Sequence, residues 1–173
     1  MISSADFSNI TTLIFDVDGT LTDGTLTFNS GGSVIKSFNI HDMHWIKLAL
    51  RAGLKVGLLA GRDDFANQQL IRELNLSFAE LNAKNKLAGW EKILADQQLT
   101  PGECLYMGDD VVDMPVIRRA GIGVAVADAV PEVDEAADWK TSAAGGHGAV
   151  CEIIRKVLKE KGLFDNIMER YRR

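Results

Sequence analysis

The stretch Leu13–Gly24, LIFDVDGTLTDG, decides how the rest of the chain is read. An apolar run ends in two carboxylates one residue apart, Asp16 and Asp18, and a glycine turn follows at once. Side chains alternate along a strand, so Asp16 and Asp18 are expected to point the same way and Val17 the other. Two like charges that close repel. Either one carboxyl holds a proton or a cation sits between them.

Outward from this stretch, TTLIFDV (11–17), KVGLLA (55–60), ECLYMG (103–108) and GIGVAV (121–126) are almost continuously apolar, the pattern of strands buried on both faces. Helical patterns fall between and after them, over 43–52, 64–75, 84–98, 111–120 and 147–162. The last carries an apolar stripe of Val150, Ile153, Ile154, Val157 and Leu158. Gly53 and Thr100-Pro101-Gly102 punctuate helix ends. The alternation predicts an α/β fold built on a doubly wound parallel sheet, whose sites gather at the carboxyl ends of its strands, where Asp16, Gly61 and Asp109 fall. Residues 25–40, TLTFNSGGSVIKSFNI, break the pattern and predict a β-hairpin inserted after the first strand. Leu26, Phe28, Val34, Ile35, Phe38 and Ile40 are many apolar residues for a hairpin that is marginal alone in water, so a partner subunit is expected to cover it.

The 173 residues, 46% hydrophobic and 25% charged, suit one packed domain, taken as 1–173. A net charge of -5 argues against a nucleic-acid groove and an anionic membrane surface, leaving a small substrate. No apolar run approaches the roughly 18 residues of a membrane span, and MISSADFSN lacks the basic and apolar regions of a leader. Cys104 and Cys151 show no Cys-x-x-Cys spacing, which suggests a reducing, cytoplasmic setting and no structural zinc.

A second acidic cluster, GDDVVDMP, holds Asp109, Asp110 and Asp113. If its strand lies beside the first, three or more carboxylates surround one point, and an oxygen-only set with room for phosphate suits Mg²⁺. A calcium loop counted from Asp16 would want Glu at its twelfth position, which is Thr27. A carboxylate beside a cation can attack phosphorus while a second carboxyl protonates the leaving alcohol and then activates water. Charge on the phosphoryl group also calls for a lysine, and NAKNK offers Lys86 and Lys84. His41 and His44 share a helix face, but no further ligand completes a zinc site. His147, between glycines at a helix start, is a candidate substrate contact.

DVDGTLTDG, the hairpin, AGR, a lysine opening a helix, GDDVVDMP, VAVADA and AGGHGAVCE occur in an order that resembles the haloacid dehalogenase superfamily along almost the whole chain. The match is to its capless branch of 3-deoxy-D-manno-octulosonate 8-phosphate (KDO 8-phosphate) phosphatases. The resemblance implies Asp16 as nucleophile, Asp18 as acid and base, and Lys86 as the catalytic lysine. It implies Mg²⁺ on Asp16, Asp109 and the Asp18 main-chain carbonyl, with Asp110 and Asp113 in support. Gly61, Arg62, Asp42 and His147 are expected at the substrate, a phosphorylated sugar acid, in a homotetramer whose basic tail, ERYRR, approaches a neighbouring site.

The chain departs from that pattern at several positions. Ala60 stands where a phosphate-binding hydroxyl is usual. Met43 and Trp45 replace glycines and are expected to reshape the pocket mouth. Leu70 and Cys151 replace arginines. Two alternatives follow, a nine-carbon keto-sugar acid 9-phosphate or another small sugar phosphate as substrate, and a catalytically weak or silent oligomer module. A phosphorylated receiver domain is set aside, because receivers carry their acidic pair early and the phosphoacceptor on a middle strand.

Overall fold

A computed structural model describes residues 6–173; the stretch read for a leader begins in residues 1–5, outside the described residues. The strands are β1 (Thr12–Phe15), β2 (Thr27–Phe28), β3 (Val34–Ile35), β4 (Lys55–Leu59), β5 (Phe78–Glu80), β6 (Cys104–Gly108), β7 (Ile122–Ala125) and β8 (Trp139–Lys140). The helices are α1 (Ile40–Arg51), α2 (Phe65–Leu74), α3 (Lys86–Gln97), α4 (Met114–Ile117), α5 (Pro131–Ala136), α6 (Ala149–Glu160) and α7 (Phe164–Glu169). Six strands form a parallel sheet in the order β5-β4-β1-β6-β7-β8. The chain leaves β1 toward β4 on one side and later returns to add β6 on the other. That reversal opens a crevice at the carboxyl ends of the central strands.

Alternation along each strand feeds two cores. Leu13, Phe15, Val56, Leu58, Leu105, Met107, Ile122 and Val124 pack against α1, α2 and α6. Ile14, Leu59, Cys104, Tyr106 and Ala125 pack against α3, α4 and α5. Burial on both faces is what the unbroken apolar runs require. Between β1 and α1 lies only the antiparallel β2–β3 hairpin.

Several elements differ from the sequence reading. β5, β8, α5 and α7 are additional. α4 keeps four residues of the expected 111–120, because the Asp113 carboxylate accepts the N–H groups of Asp109 and Asp110 and folds that segment into a turn. α1 begins at Ile40, where Asn39 caps it by accepting from His41 N–H at 2.8 Å. Trp45 does not reach the pocket mouth. It stacks on Phe164 with centroids 5.9 Å apart, under the Arg155 guanidinium, and fastens α7 to α1.

Asp42 also takes a place other than the one expected. α6 starts at Gly148, which has no side chain to cap it, and the carboxylate of Asp42 on α1 serves instead. Its oxygens accept from Cys151 N–H at 2.6 Å and Gly148 N–H at 3.2 Å, and the residue is fully buried. Burial raises its pKa against the pull of those two bonds. Asp42 is therefore a helix cap in this structure, enclosed and not lining the pocket between Asp16 and Arg62. Asp42→Ala strands two buried N–H groups and is expected to cost about 2–4 kcal/mol, read from the denaturant midpoint, with KM little changed.

Candidate active site

Parallel pairing of β1 with β6 delivers their following residues to one edge, and Asp16 N–H extends the ladder by donating to Met107 O at 3.0 Å. Asp109 crosses to the β1 loop because Gly19 is a glycine. Gly19 has φ +94°, and a Cβ there would lie 2.0 Å from Asp109 Oδ2. Thr20 Oγ1 donates to Asp109 Oδ1 at 3.2 Å. Gly108 likewise leaves room for the Asp113 carboxylate, which would otherwise meet its Cβ at 2.5 Å.

Lys86 opens α3 and is buried, with Asn85 capping the helix. Its Nζ lies 2.5 Å from Asp16 Oδ1, 2.6 Å from Leu59 O and 3.1 Å from Asp113 Oδ1. Burial pulls its pKa down, but the charges of Asp16 and Asp113 outweigh that and hold it above the ordinary lysine range. Tyr106 hydroxyl donates to Asp113 Oδ1 at 2.6 Å and accepts from Lys86 at 3.2 Å. Lys84 is the exposed member of the pair; its Nζ donates to Gly61 O at 2.6 Å on the pocket wall.

Asp18 sits between two cations. Lys36 Nζ is 2.6 Å from Oδ1 and Arg62 Nε is 3.5 Å from Oδ2. Lys36 comes from the hairpin and was not among the sequence candidates. Its place in an apolar–polar alternation next to Ile35 was the only signal for it, and that pattern does not say which way the lysine turns.

These groups surround a pocket of about 360 Å³ lined by Asp16, Asp18, Gly61, Arg62, Lys86 and Asp110, with Lys84, Ala83 and Val112 completing it. His147 is exposed and does not line it. Ala60 does not line it either. Its methyl is fully buried in the α1/α2/α6 core and its N–H donates to Glu80 O at 2.9 Å, so the missing hydroxyl is not a gap in the pocket wall. Leu70 is buried in the same core, and Met43 packs at its edge. The tail lies along its own α1, where Tyr171 hydroxyl accepts from Arg51 at 3.2 Å and sits 3.3 Å from His44 Nε2. A larger cleft of about 500 Å³ near Leu50 and Leu74 offers Lys47 as its one charged side chain, so the smaller pocket is where chemistry is possible.

Carboxylate oxygens of Asp16, Asp109 and Asp113 lie within 4.8 Å of one another. Asp113 is saturated: its Oδ1 faces Tyr106 and Lys86, and its Oδ2 accepts two backbone N–H groups at 3.2 Å. That leaves Asp16 and Asp109 with lone pairs for a cation. Burial pushes the Asp16 carboxyl up to about 6 despite Lys86. Burial and the neighbouring charges of Asp16 and Asp113 push Asp109 up to about 8. An all-oxygen set whose members repel in the absence of a cation fits Mg²⁺.

Carboxylates from two parallel strands, a buried lysine between them and a crevice at the switch point define a hydrolase of the haloacid dehalogenase type. A family model described as haloacid dehalogenase-like hydrolase matches residues 79–154. The 3-deoxy-D-manno-octulosonate 8-phosphate phosphatase KdsC of Escherichia coli is 35% identical over 161 residues, 93% of this chain and 86% of that protein. The phosphatase of Moraxella catarrhalis, solved with magnesium, phosphate and KDO, superposes with a TM-score of 0.93 at 27% identity, covering 96% of this chain and 95% of that one. The cobalt-bound Haemophilus influenzae phosphatase gives 0.89 at 34% identity, covering 92% and 93%. The chain belongs to the 3-deoxy-D-manno-octulosonate 8-phosphate phosphatase family of the haloacid dehalogenase superfamily.

Asp16 and Asp109 bind protons more tightly folded than unfolded. Without a cation, their contribution to stability is greatest below about pH 4 and is lost as pH rises through about 6 and about 8. A divalent cation offsets that loss. Added Mg²⁺ should raise Tm by an increment that grows from about pH 5 to about pH 8. A pH-independent increment in a thermal melt would show that the ion does not sit on these carboxylates.

Proposed function

We propose that the chain is a Mg²⁺-dependent phosphatase that hydrolyses KDO 8-phosphate through an aspartyl-phosphate on Asp16. The observation that carries this reading is the Asp16 carboxylate held by Lys86 at the sheet edge, in a chain 35% identical over 93% of its length to the E. coli enzyme. In the first step a carboxylate oxygen of Asp16 attacks phosphorus, the phosphorus–ester oxygen bond breaks, and Asp18 gives its proton to the leaving alcohol. In the second, Asp18 takes a proton from water as that water attacks phosphorus. The bond to Asp16 breaks, inorganic phosphate leaves and the carboxylate returns.

Asp16, Asp109 and the Asp18 carbonyl would hold the Mg²⁺, with Asp110 at the rim; when bound, it neutralises charge building on the phosphoryl oxygens. Lys86 keeps Asp16 ionised and oriented, and Asp113 fixes Lys86 through Tyr106. Gly61 and Arg62 meet the phosphate, and Lys84 and Arg62 offer positive charge to the sugar-acid carboxylate from the pocket wall. His147 belongs to this reading only if a neighbouring subunit or the bound sugar brings the substrate to it.

Chelation and Asp16→Asn should each abolish phosphate release, since an amide does not attack phosphorus. Among phosphorylated eight- and nine-carbon keto-sugar acids, the eight-carbon substrate should give the higher kcat/KM. Preference for the nine-carbon acid would reassign the substrate, and full activity of Asp16→Asn would remove the mechanism.

The reading includes a single catalytic unit over 1–173 acting as a homotetramer in the cytoplasm. The free thiols of Cys104 and Cys151 support the compartment. Phe28, Ile35 and Phe65, exposed at 62%, 51% and 71%, support the assembly, as does an apolar groove between hairpin and α2 lined by Val34, Phe38 and Leu70. Light scattering should give four subunits for the native chain and a smaller species for Phe28→Asp. A native monomer with full turnover would overturn the assembly.

A further inference from the structure

Lys36 belongs to the hairpin, yet its side chain is fully enclosed at the acidic site. Its Nζ lies 2.6 Å from Asp18 Oδ1, 2.8 Å from Asp64 Oδ2 and 3.0 Å from Asn67 Oδ1. An enclosed ammonium is strongly destabilising unless its donors are met, and three oxygens stand around its three N–H groups. Only Asn67 is aligned for a hydrogen bond; the two carboxylate oxygens are held by charge.

The three partners come from two places. Asp64 and Asn67 form the start of α2, where Asp64 Oδ1 accepts Asn67 N–H at 2.9 Å and Asn67 Nδ2 donates to Arg62 O at 3.1 Å. Those two alone would staple the hairpin to α2. Asp18 is the third, and it comes from the loop after β1, beside Asp16. Its second oxygen faces Arg62, whose side chain is 48% exposed and free to turn toward an anion in the pocket. Lys36, with no exposed surface on its side chain, has no such freedom.

We infer that Lys36 is a positioning residue for proton transfer: it fixes the Asp18 carboxyl at the pocket, so that the seating of the hairpin sets where the acid and base of the reaction stands. The inference rests on the reading of Asp18 as proton donor and acceptor. Its consequence is chemical. Departure of an alkoxide needs a proton in flight, whereas departure of nitrophenolate does not; attack of water on the phosphoenzyme needs the base in both cases. A shift of about 1 Å in a reacting group costs on the order of 10²-fold.

The test is rapid-quench kinetics of Lys36→Met with two substrates, a sugar phosphate and p-nitrophenyl phosphate. The first turnover on the sugar phosphate should fall about 10²-fold with KM little changed. On the aryl phosphate a burst of nitrophenolate at near-native rate should survive and be followed by slow turnover. Lys36→Arg should restore part of the sugar-phosphate rate. Asp64→Asn weakens the staple but keeps the Lys36–Asp18 pair, so it should lower Tm without this dependence on the leaving group. Equal first-turnover losses on both substrates in Lys36→Met, or the same leaving-group dependence in Asp64→Asn, would overturn the inference and leave Lys36 a structural staple. Asp18→Asn measured alongside separates the two levels. If it loses the burst, the reading of Asp18 fails and takes the inference with it; if it keeps the burst while Lys36→Met does not, only the inference about Lys36 fails.

Discussion

Strands β1 and β6 run parallel side by side, so whatever follows them is delivered to one edge, and here carboxylates follow both. Desolvation and mutual repulsion work against the folded state at that edge, which is why Asp16 and Asp109 hold protons far above the ordinary carboxylate range. One ammonium, Lys86, pairs with Asp16 and Asp113. Once Asp16 and Asp109 give up their protons, three carboxylates against one ammonium carry two net negative charges, which a divalent cation neutralises. Parts of the surrounding structure answer that repulsion: the helix start that presents Lys86 brings an opposite charge to Asp16 and Asp113, Thr20 donates to Asp109 beside the left-handed turn at Gly19, and two backbone N–H groups and a phenol occupy Asp113.

Burial alone does not separate working carboxylates from structural ones; the donors they already accept do. Asp42 and Asp113 are both fully enclosed. Asp42 is occupied by the N-terminal N–H groups of α6, and Asp113 by two N–H groups, a phenol and an ammonium. Asp113 has its oxygens filled, and Asp42, with one N–H group on each oxygen, is enclosed and does not line the pocket. Asp16 and Asp18 line the pocket, and Asp109 accepts only Thr20 and keeps capacity for a cation. Acidic residues that look alike along the chain thus divide by the company the fold gives them.

That division explains what was legible beforehand. The four central strands and most of the long helices announce themselves through apolar periodicity, because burial on two faces leaves no polar positions in a strand. Edge strands of two or three residues, such as β8 and β5, have too few positions to show a period. Asp16, Asp18 and Asp109 stood out as candidates because Asp16 ends one apolar run, Asp18 follows it by two residues, and Asp109 comes one glycine after another run. The capping role of Asp42 was not readable, because the start of α6 that it serves lies 106 residues away in sequence. That the Ala60 methyl turns to the core was not readable, because the first residue past a strand can face the core as easily as the crevice. Lys36 was missed because its partners come from the β1 loop and α2, which no local pattern connects to the hairpin.

The hairpin gathers these threads. β2 and β3 pair over only two residues each, far too little to hold a fixed shape in water. Its inner side is tied down by one ammonium and three oxygens, while Phe28 and Ile35 on its outer side remain open to solvent. An element anchored by charge within and left apolar without offers the face that the proposed assembly would cover. Since the same ammonium touches Asp18, whatever covers the outer face also bears on the geometry of the pocket. In the proposed assembly, subunit contact and chemistry would be coupled through a single lysine rather than through the rigid sheet, which packs two cores and has no slack to transmit a change.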